Sequence, residues 1–296
     1  MDKELIIVTG PTAIGKTKLA IELSGYYGTE IVSCDSRQMY KEMQVGTAVP
    51  SIDELSAAKH HFIQVISIFD YYNAAQYEVQ AIALLHKLFE KYNKVILTGG
   101  TGLYIDAICR GIDDLPTVNP ELRANIQDTF EKEGIQYLQE QVELHDPEYY
   151  AKVDINNPMR LMKALEVSIM SGKPYSQFLT RPAKKRDFTV KKIFLNMDRE
   201  KLYDRINQRV LHMIDEGLEQ EAKDLFGHRG QTALKTVGYR ELFDMWEGKH
   251  DHDEAIRLIQ RNTRHYARKQ LTWFKRYQDG VWFEPTQIKD IISHIG

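Results

Sequence analysis

The chain has 296 residues, enough for one large domain or two smaller ones with a real buried core. Hydrophobic residues at 43% and charged residues at 27% are ordinary for a globular protein and exclude a disordered or fibrous chain. The formal net charge of −3 excludes a molecule coated in basic surface, so any nucleic-acid site must be a local patch.

Leu5-Ile6-Ile7-Val8 is a short apolar run, too short to span a bilayer and without a cleavable-signal layout. It reads as a buried strand of a cytoplasmic protein. A Gly/Thr-rich turn follows, then a helical stretch, Lys16–Leu23. Glu30–Ser33 is a second strand and ends at Cys34-Asp35. A helix-patterned region from Ala74 to Tyr92 leads into a third strand, Lys94–Thr98. Short continuous apolar strands separated by helices predict a parallel sheet covered on both faces. Right-handed crossovers then bring the strand ends and the loops after them to one edge.

From Asn119 to about Arg186 the strand signal vanishes. Asn119-Pro120 is an N-cap followed by proline at the first helical position, and Gly134 offers a stop. Asp146-Pro147 repeats the start signal, and Asn157-Pro158 opens a helix running to Met170 with Gly172 just past its end. Three starts without a strand predict an all-helical insertion. Lys191–Asn196 resumes as a strand, and Arg199 to Gln278 is mostly helical. Cys34 and Cys109, the two cysteines, lack metal-ligand or C-x-x-C spacing, which fits free thiols in a reducing cytoplasm. His60-His61 and His250 with His252 form no coherent metal pattern and read as surface or cap residues.

Gly10-Pro11-Thr12-Ala13-Ile14-Gly15-Lys16-Thr17 fits G-x-x-x-x-G-K-[ST], with a strand before it and a helix after. Its glycines let backbone N–H groups curl around a diphosphate, and the helix N-terminus adds a favourable field. Lys16 is expected against the phosphate oxygens, and the Thr17 hydroxyl is expected to help hold Mg²⁺. The fold class is therefore α/β. A P-loop (nucleoside-triphosphate-hydrolase-like) parallel core spans 1–118 and 187–296 and has a helical C-terminal part; the helical insertion spans 119–186. The motif does not say what is transferred. Ordinary NTPases need an acid after a buried strand to hold the metal, yet Lys94–Thr98 ends in Gly99-Gly100-Thr101-Gly102. The carboxylate well placed at a strand end is Asp35. It has three readings: metal acid of a kinase-like enzyme, general base, or helix cap.

Between Arg257 and Arg276 there are seven Lys/Arg and no Asp or Glu. Arg257, Arg261, Arg264 and Arg268 repeat at helical spacing, and the absence of interspersed acids points to phosphate contact. Ala267, Leu271 and Phe274 are expected to face inward, and Tyr266 and Trp273 read as core packing.

Several further segments complete a pattern: Asp35-Ser36-Arg37-Gln38-Met39-Tyr40, Gly46-Thr47-Ala48, Gly99-Gly100-Thr101-Gly102-Leu103-Tyr104, Arg160 with Ala164-Leu165-Glu166-Val167, Gly172-Lys173-Pro174, Val237-Gly238-Tyr239-Arg240-Glu241 and Lys269-Gln270-Leu271-Thr272-Trp273-Phe274. With the phosphate loop, and in this order over nearly the whole chain, the set resembles the bacterial tRNA dimethylallyltransferases. The resemblance implies transfer of a dimethylallyl group from dimethylallyl diphosphate to N6 of the adenine just 3′ of the anticodon (position 37), with diphosphate released. The loop would then hold that diphosphate instead of ATP, which accounts for the missing acid.

Asp35 would accept the proton leaving the adenine amino group. Lys16, a Thr17-held Mg²⁺ and Arg209 would stabilise the leaving diphosphate, with Arg205 one turn before Arg209 and Thr12 near the reacting centre. The target base must be extruded from a structured anticodon loop. Asp35, Ser36, Arg37, Gln38 and Thr101 would meet it. Arg123 and the stretch Met159, Arg160, Leu161, Met162 and Lys163 correspond to tRNA-contacting positions of the insertion, although the family often has Gln and Arg where this chain has Met159 and Lys163. The resemblance also suggests a monomer. The competing readings are a small-molecule P-loop kinase, a free-nucleotide isopentenyltransferase and a non-catalytic RNA-binding or nucleotide-switch protein.

Overall fold

The computed structural model describes residues 3–116, 119–180 and 184–296. In chain order its elements begin with β1 (Glu4–Thr9), α1 (Lys16–Tyr27), β2 (Ile31–Ser33), α2 (Ile52–Ala57), β3 (His60–His61), α3 (Ala74–Leu88), β4 (Lys94–Gly99) and α4 (Gly102–Arg110). Four helices follow without a strand: α5 (Pro120–Glu133), α6 (Ile135–His145), α7 (Pro147–Tyr150) and α8 (Pro158–Ser171). The chain then returns to β5 (Thr189–Leu195), α9 (Arg199–Asp215), α10 (Leu218–Leu225), α11 (Tyr239–Trp246), α12 (His252–Phe274), β6 (Gly280–Phe283) and α13 (Ile288–Ile295).

The strands form one parallel sheet in the order β3-β2-β4-β1-β5-β6. Leu5, Ile6, Ile7 and Val8 of the central strand are wholly buried, as expected of a strand covered on both faces. On one face Ile6 and Val8 meet Ile14, Leu19 and Leu23 at α1, with Leu202 and Ile206 of α9. Two strands lie outside the sequence expectation. His60-His61, read as surface or cap residues, form the edge strand β3, where His61 Nε2 lies 2.6 Å from Glu30 Oε2. The strand has two residues, so periodicity could not reveal it. Gly280–Phe283 is the other edge, pairing with β5.

Backbone contacts divide the chain into two compact units, one of residues 1–109 and 185–296 and one of 110–184. The second unit is helical and has its own core, in which Ile126, Leu138, Val142, Leu161 and Leu165 pack together. The three expected starts are in place. Asn119 Oδ1 accepts from the N–H groups of Glu121 and Leu122, Asp146 caps Tyr149, and Asn157 caps Arg160. Gly134 ends α5 and α6 begins at the next residue, so the unit holds one more helix than its start signals predict. Lys184 N–H donates to Arg110 O at 2.9 Å and closes the unit at its neck. Among the described residues, no helix is long and apolar enough to cross a membrane.

Candidate active site

Because β2, β4 and β1 are adjacent and parallel, their C-terminal ends deliver three loops side by side. These are Cys34–Gln38 after β2, Gly99–Gly102 after β4 and Gly10–Lys16 after β1. Strands pair about 4.8 Å apart, which places the first and third of these about 10 Å from each other across the second. An edge of this kind, at the carboxyl ends of parallel strands, is where open α/β sheets bind ligands.

The loop after β1 is a cradle of backbone. Gly15 precedes α1 with φ 102°, a left-handed conformation that a side chain would strain. Ala13 holds φ 62°, a strained value for a residue with a Cβ. Ile14 is fully buried in the core and anchors the loop. Ala13 and Ile14 can therefore offer a ligand only their backbone. Lys16 Nζ donates to Gly10 O at 3.2 Å and Pro11 O at 2.9 Å, spanning the loop. Desolvation lowers the Lys16 ammonium to about 8; the Asp35 carboxylate opposes that shift, and Arg209 adds to it. Thr17 is the second residue of α1.

Asp35 is the second residue of the loop after β2. Its Oδ1 accepts from the N–H groups of Arg37 (2.9 Å) and Gln38 (3.4 Å), an Asx-type turn. Its Oδ2 stands 3.9 Å from the point a Cβ on Gly100 would occupy. One oxygen thus shapes the loop while the other is turned toward the loop after β4. The next helix begins only at Ile52, so the helix-cap reading gives way to a turn cap, which is compatible with an acid-base role on a single carboxylate.

The neighbours of Asp35 hold the loop in shape. Thr101 Oγ1 accepts from Ser36 N–H at 3.0 Å and donates to Ser36 Oγ at 3.1 Å. Arg37 donates to the carbonyls of Thr232 (3.4 Å) and Ala233 (3.1 Å). Gln38 Nε2 donates to Thr47 O and Ala48 O. Glu221 of α10 accepts from the N–H groups of Gln44, Val45 and Gly46 and from the Tyr239 hydroxyl. Ser36, Arg37, Gln38 and Thr101 are thus each engaged by protein in the loop that carries Asp35.

On α9, burial lowers the Arg209 guanidinium from its ordinary value, and the Asp35 carboxylate opposes that. Arg205, one turn earlier, brings its Nη2 to 3.7 Å from the point a Cβ on Gly15 would occupy. Lys16, Asp35 and Arg209 thus lie within one another's field, and Arg205 reaches the turn of the cradle.

The basic stripe of α12 is narrower than its spacing suggests. Arg257 is paired with Glu254 at 2.5 Å, and Arg264 donates to Asn207 Oδ1 at 2.5 Å. Arg261 and Arg268 are exposed. Tyr266 is 41% exposed instead of packed in the core. The surrounding protein, and then Asp35, push its phenol above the ordinary tyrosine range. Leu271 is only partly buried, and the inward position beside Ala267 and Phe274 belongs to Gln270. Gln270 was missed as a site residue. The legible signal was a polar residue at i+3 from Ala267 and i−4 from Phe274, in the middle of a core-facing stripe.

In the helical unit, Arg123 Nε lies 2.9 Å from Glu166 Oε1, and Lys163 Nζ stands 4.0 Å from Oε2. Glu166 is 1% exposed and its Oε2 has no hydrogen-bond partner. Burial raises its carboxyl, and Arg123 and Lys163 offset that. Met159 and Arg160 are exposed, whereas Leu161 and Met162 are core residues with no side-chain surface to offer. The five-residue stretch is therefore corrected to Met159, Arg160 and the half-buried Lys163. Removing one partner of such a pair leaves a buried charge uncompensated. Arg123→Ala is expected to destabilise the unit by about 2 kcal/mol, with Glu166→Gln restoring part of the loss in the double variant. Urea unfolding of the two single variants and the double checks this.

A strand–loop–helix cradle with a partly buried lysine, set in a parallel sheet, defines a P-loop (nucleoside-triphosphate-hydrolase-like) protein in which a carboxylate follows β2 and not β4. Residues 38–277 match the family model described as IPP transferase. Over 99% of its length the chain is 49% identical to the tRNA dimethylallyltransferase 2 of Azobacteroides pseudotrichonymphae, covering 98% of that protein. It is 50% identical to the tRNA dimethylallyltransferase of Flavobacterium johnsoniae over 99% of the chain and 96% of that protein. The tRNA isopentenylpyrophosphate transferase structure from Bacillus halodurans superposes with a TM-score of 0.71 at 32% identity, covering 100% of this chain and 96% of that one. The chain belongs to the IPP transferase family, the tRNA dimethylallyltransferases.

Proposed function

We propose that this chain transfers the dimethylallyl group of dimethylallyl diphosphate to N6 of adenine 37, next to the anticodon of a tRNA, releasing diphosphate. The observation that carries the reading is the adjacency of β2, β4 and β1. It sets a carboxylate and a lysine-spanned anion cradle about 10 Å apart, room for a five-carbon chain and an amino group between them.

An adenine amino group is a weak nucleophile and becomes acidic as the new C–N bond forms. Asp35 Oδ2 accepts that proton. The allylic C–O bond breaks as the C–N bond forms, and charge gathers on the diphosphate. Lys16, Arg209 and Arg205 are the cations that would stabilise it, and the N–H groups of Ala13 to Lys16 line the cradle. Among the described residues, no three His, Cys, Asp or Glu side chains gather as a metal site. Of this chain's residues, the Thr17 hydroxyl would help hold a Mg²⁺ ion accompanying the diphosphate. Such an ion supplies further neutralisation of the leaving group.

Ser36, Arg37, Gln38 and Thr101 shape the loop that receives the extruded base. Arg123, Arg160 and Lys163 serve as backbone contacts from the helical insertion, and Arg261 and Arg268 as contacts from α12. The protein acts as a monomer in the cytoplasm, where tRNA is found.

Incubation with labelled dimethylallyl diphosphate, Mg²⁺ and unmodified tRNA, followed by nucleoside mass analysis, is expected to give N6-dimethylallyladenosine. Absence of the prenyl mass, with phosphorylation of a metabolite in its place, would return the protein to the kinases. The lowered Lys16 adds a pH signature. The free protein holds this charge below about 8 and loses it above. The donor kcat/KM should therefore fall roughly tenfold between pH 7 and 9. Bound diphosphate favours the charged form, so kcat at saturating donor should fall less.

A further inference from the structure

Gln270 is 5% exposed, and its amide touches two of the three site loops at once. Its Oε1 accepts from Thr12 N–H at 2.9 Å, and its Nε2 donates to Gly100 O at 3.0 Å. Gly100 in turn precedes Thr101, whose hydroxyl is bonded to Ser36, the residue after Asp35. Thr101 N–H also donates to Cys34 O at 3.2 Å. A continuous path therefore runs from the anion cradle through one carboxamide to the residues on either side of the carboxylate. No sheet ladder does this job, because all three segments lie beyond the strand ends. A Cβ on Gly100 would fall 2.3 Å from Gln270 Nε2, so the glycine is the condition for the amide to sit there.

A carboxamide suits this task because it is rigid, uncharged, and offers one acceptor and one donor about 2 Å apart. A carboxylate would repel the Gly100 carbonyl, and an ammonium could not accept from Thr12. Both groups it satisfies are backbone groups of turns, which otherwise drift with solvent. Small errors in the distance between reacting groups are costly to rate and cheap to binding.

We propose that Gln270 is a positioning residue that fixes the spacing between the donor cradle and the Asp35 loop. It touches neither substrate. The inference rests on the prenyl-transfer reading for its kinetic consequence and on geometry alone for its structural one.

Three variants test it: Gln270→Ala, Gly100→Ala and the pair combined. Gln270→Ala is expected to lower kcat by at least tenfold, with KM for tRNA and for the donor within about threefold of wild type. Gly100→Ala, which displaces the amide without removing it, should do the same. In the combined variant the alanine at position 270 gives room to the new methyl group, so the loss should match that of Gln270→Ala alone. Two separate packing defects would instead add.

A second measurement does not depend on turnover. Hydrogen exchange at the Thr12 amide should speed up at least tenfold in Gln270→Ala, while the amides of α1 keep their rates. Unchanged Thr12 exchange, kcat within twofold of wild type, additive losses, or a loss confined to the two KM values overturns the proposal. A wild-type protein that fails to prenylate tRNA removes the reaction assigned above, and the exchange experiment still decides the role of Gln270.

Discussion

Asp35→Asn is expected to lower kcat by about 10²–10⁴-fold while leaving KM for tRNA within about threefold. The prediction depends on the division of labour between the two oxygens. Oδ1 caps the turn through Arg37 and Gln38 N–H, and an asparagine keeps that acceptor. What it loses is the basic oxygen facing Gly100. Asp35→Ala removes both functions, so it should also raise KM for tRNA, because two N–H groups of the receiving loop lose their partner at about 1 kcal/mol each. Steady-state kinetics of the two variants side by side separate base from cap. Near-normal turnover in Asp35→Asn would leave only the cap, and equal losses of kcat and affinity in both variants would mean that the loop itself had collapsed.

Lys16→Ala carries the second large effect. Its ammonium is held across the loop by two carbonyls in surroundings that disfavour charge. A diphosphate arriving there meets a cation with little water to shed. A hydrogen bond to a charged group contributes about 1.5–3 kcal/mol, so diphosphate affinity should fall by about 10- to 100-fold, readable by calorimetric titration with inorganic diphosphate. Negative charge on the leaving group is greater in the transition state than in the ground state. Turnover at saturating donor should therefore drop by a further factor of about 10–100. Unaltered diphosphate affinity would place the donor elsewhere. Arg209 and Arg205 temper the loss, since both remain near the cradle.

The parts of this molecule legible in the sequence are those with a local physical cause. The strand at Leu5–Val8 is a continuous apolar run, the caps at Asn119, Asp146 and Asn157 are single residues with one preferred use, and the phosphate loop is a contiguous motif. Asp35 could be singled out because a parallel sheet must present its strand ends together. What escaped depends on residues far apart in the chain. Gln270 has meaning only once Thr12 and Gly100, 258 and 170 positions away, have been brought to it. The two-residue strand β3 exists because β2 is there to pair with it. Leu161 and Met162 were grouped with exposed neighbours because a contiguous stretch on a helix turns through both faces, and burial follows the face. Arg257 and Arg264 belong to a stripe by spacing, but Glu254 pairs with the first and Asn207 from α9 accepts a hydrogen bond from the second.

The central strand has a consequence for how the protein is made. β1 is synthesised long before β5, one of its two flanking strands, with Glu4 opposite Thr189 and Thr9 opposite Phe194. Leu195 lies against Gly10, and the glutamine that bonds Thr12 comes later still. A growing chain emerging from the ribosome therefore carries a half-flanked cradle through the whole time needed to produce the helical insertion. Contacts of such long sequence separation form late. The phosphate loop is translated well before the strand and the glutamine that hold it in shape.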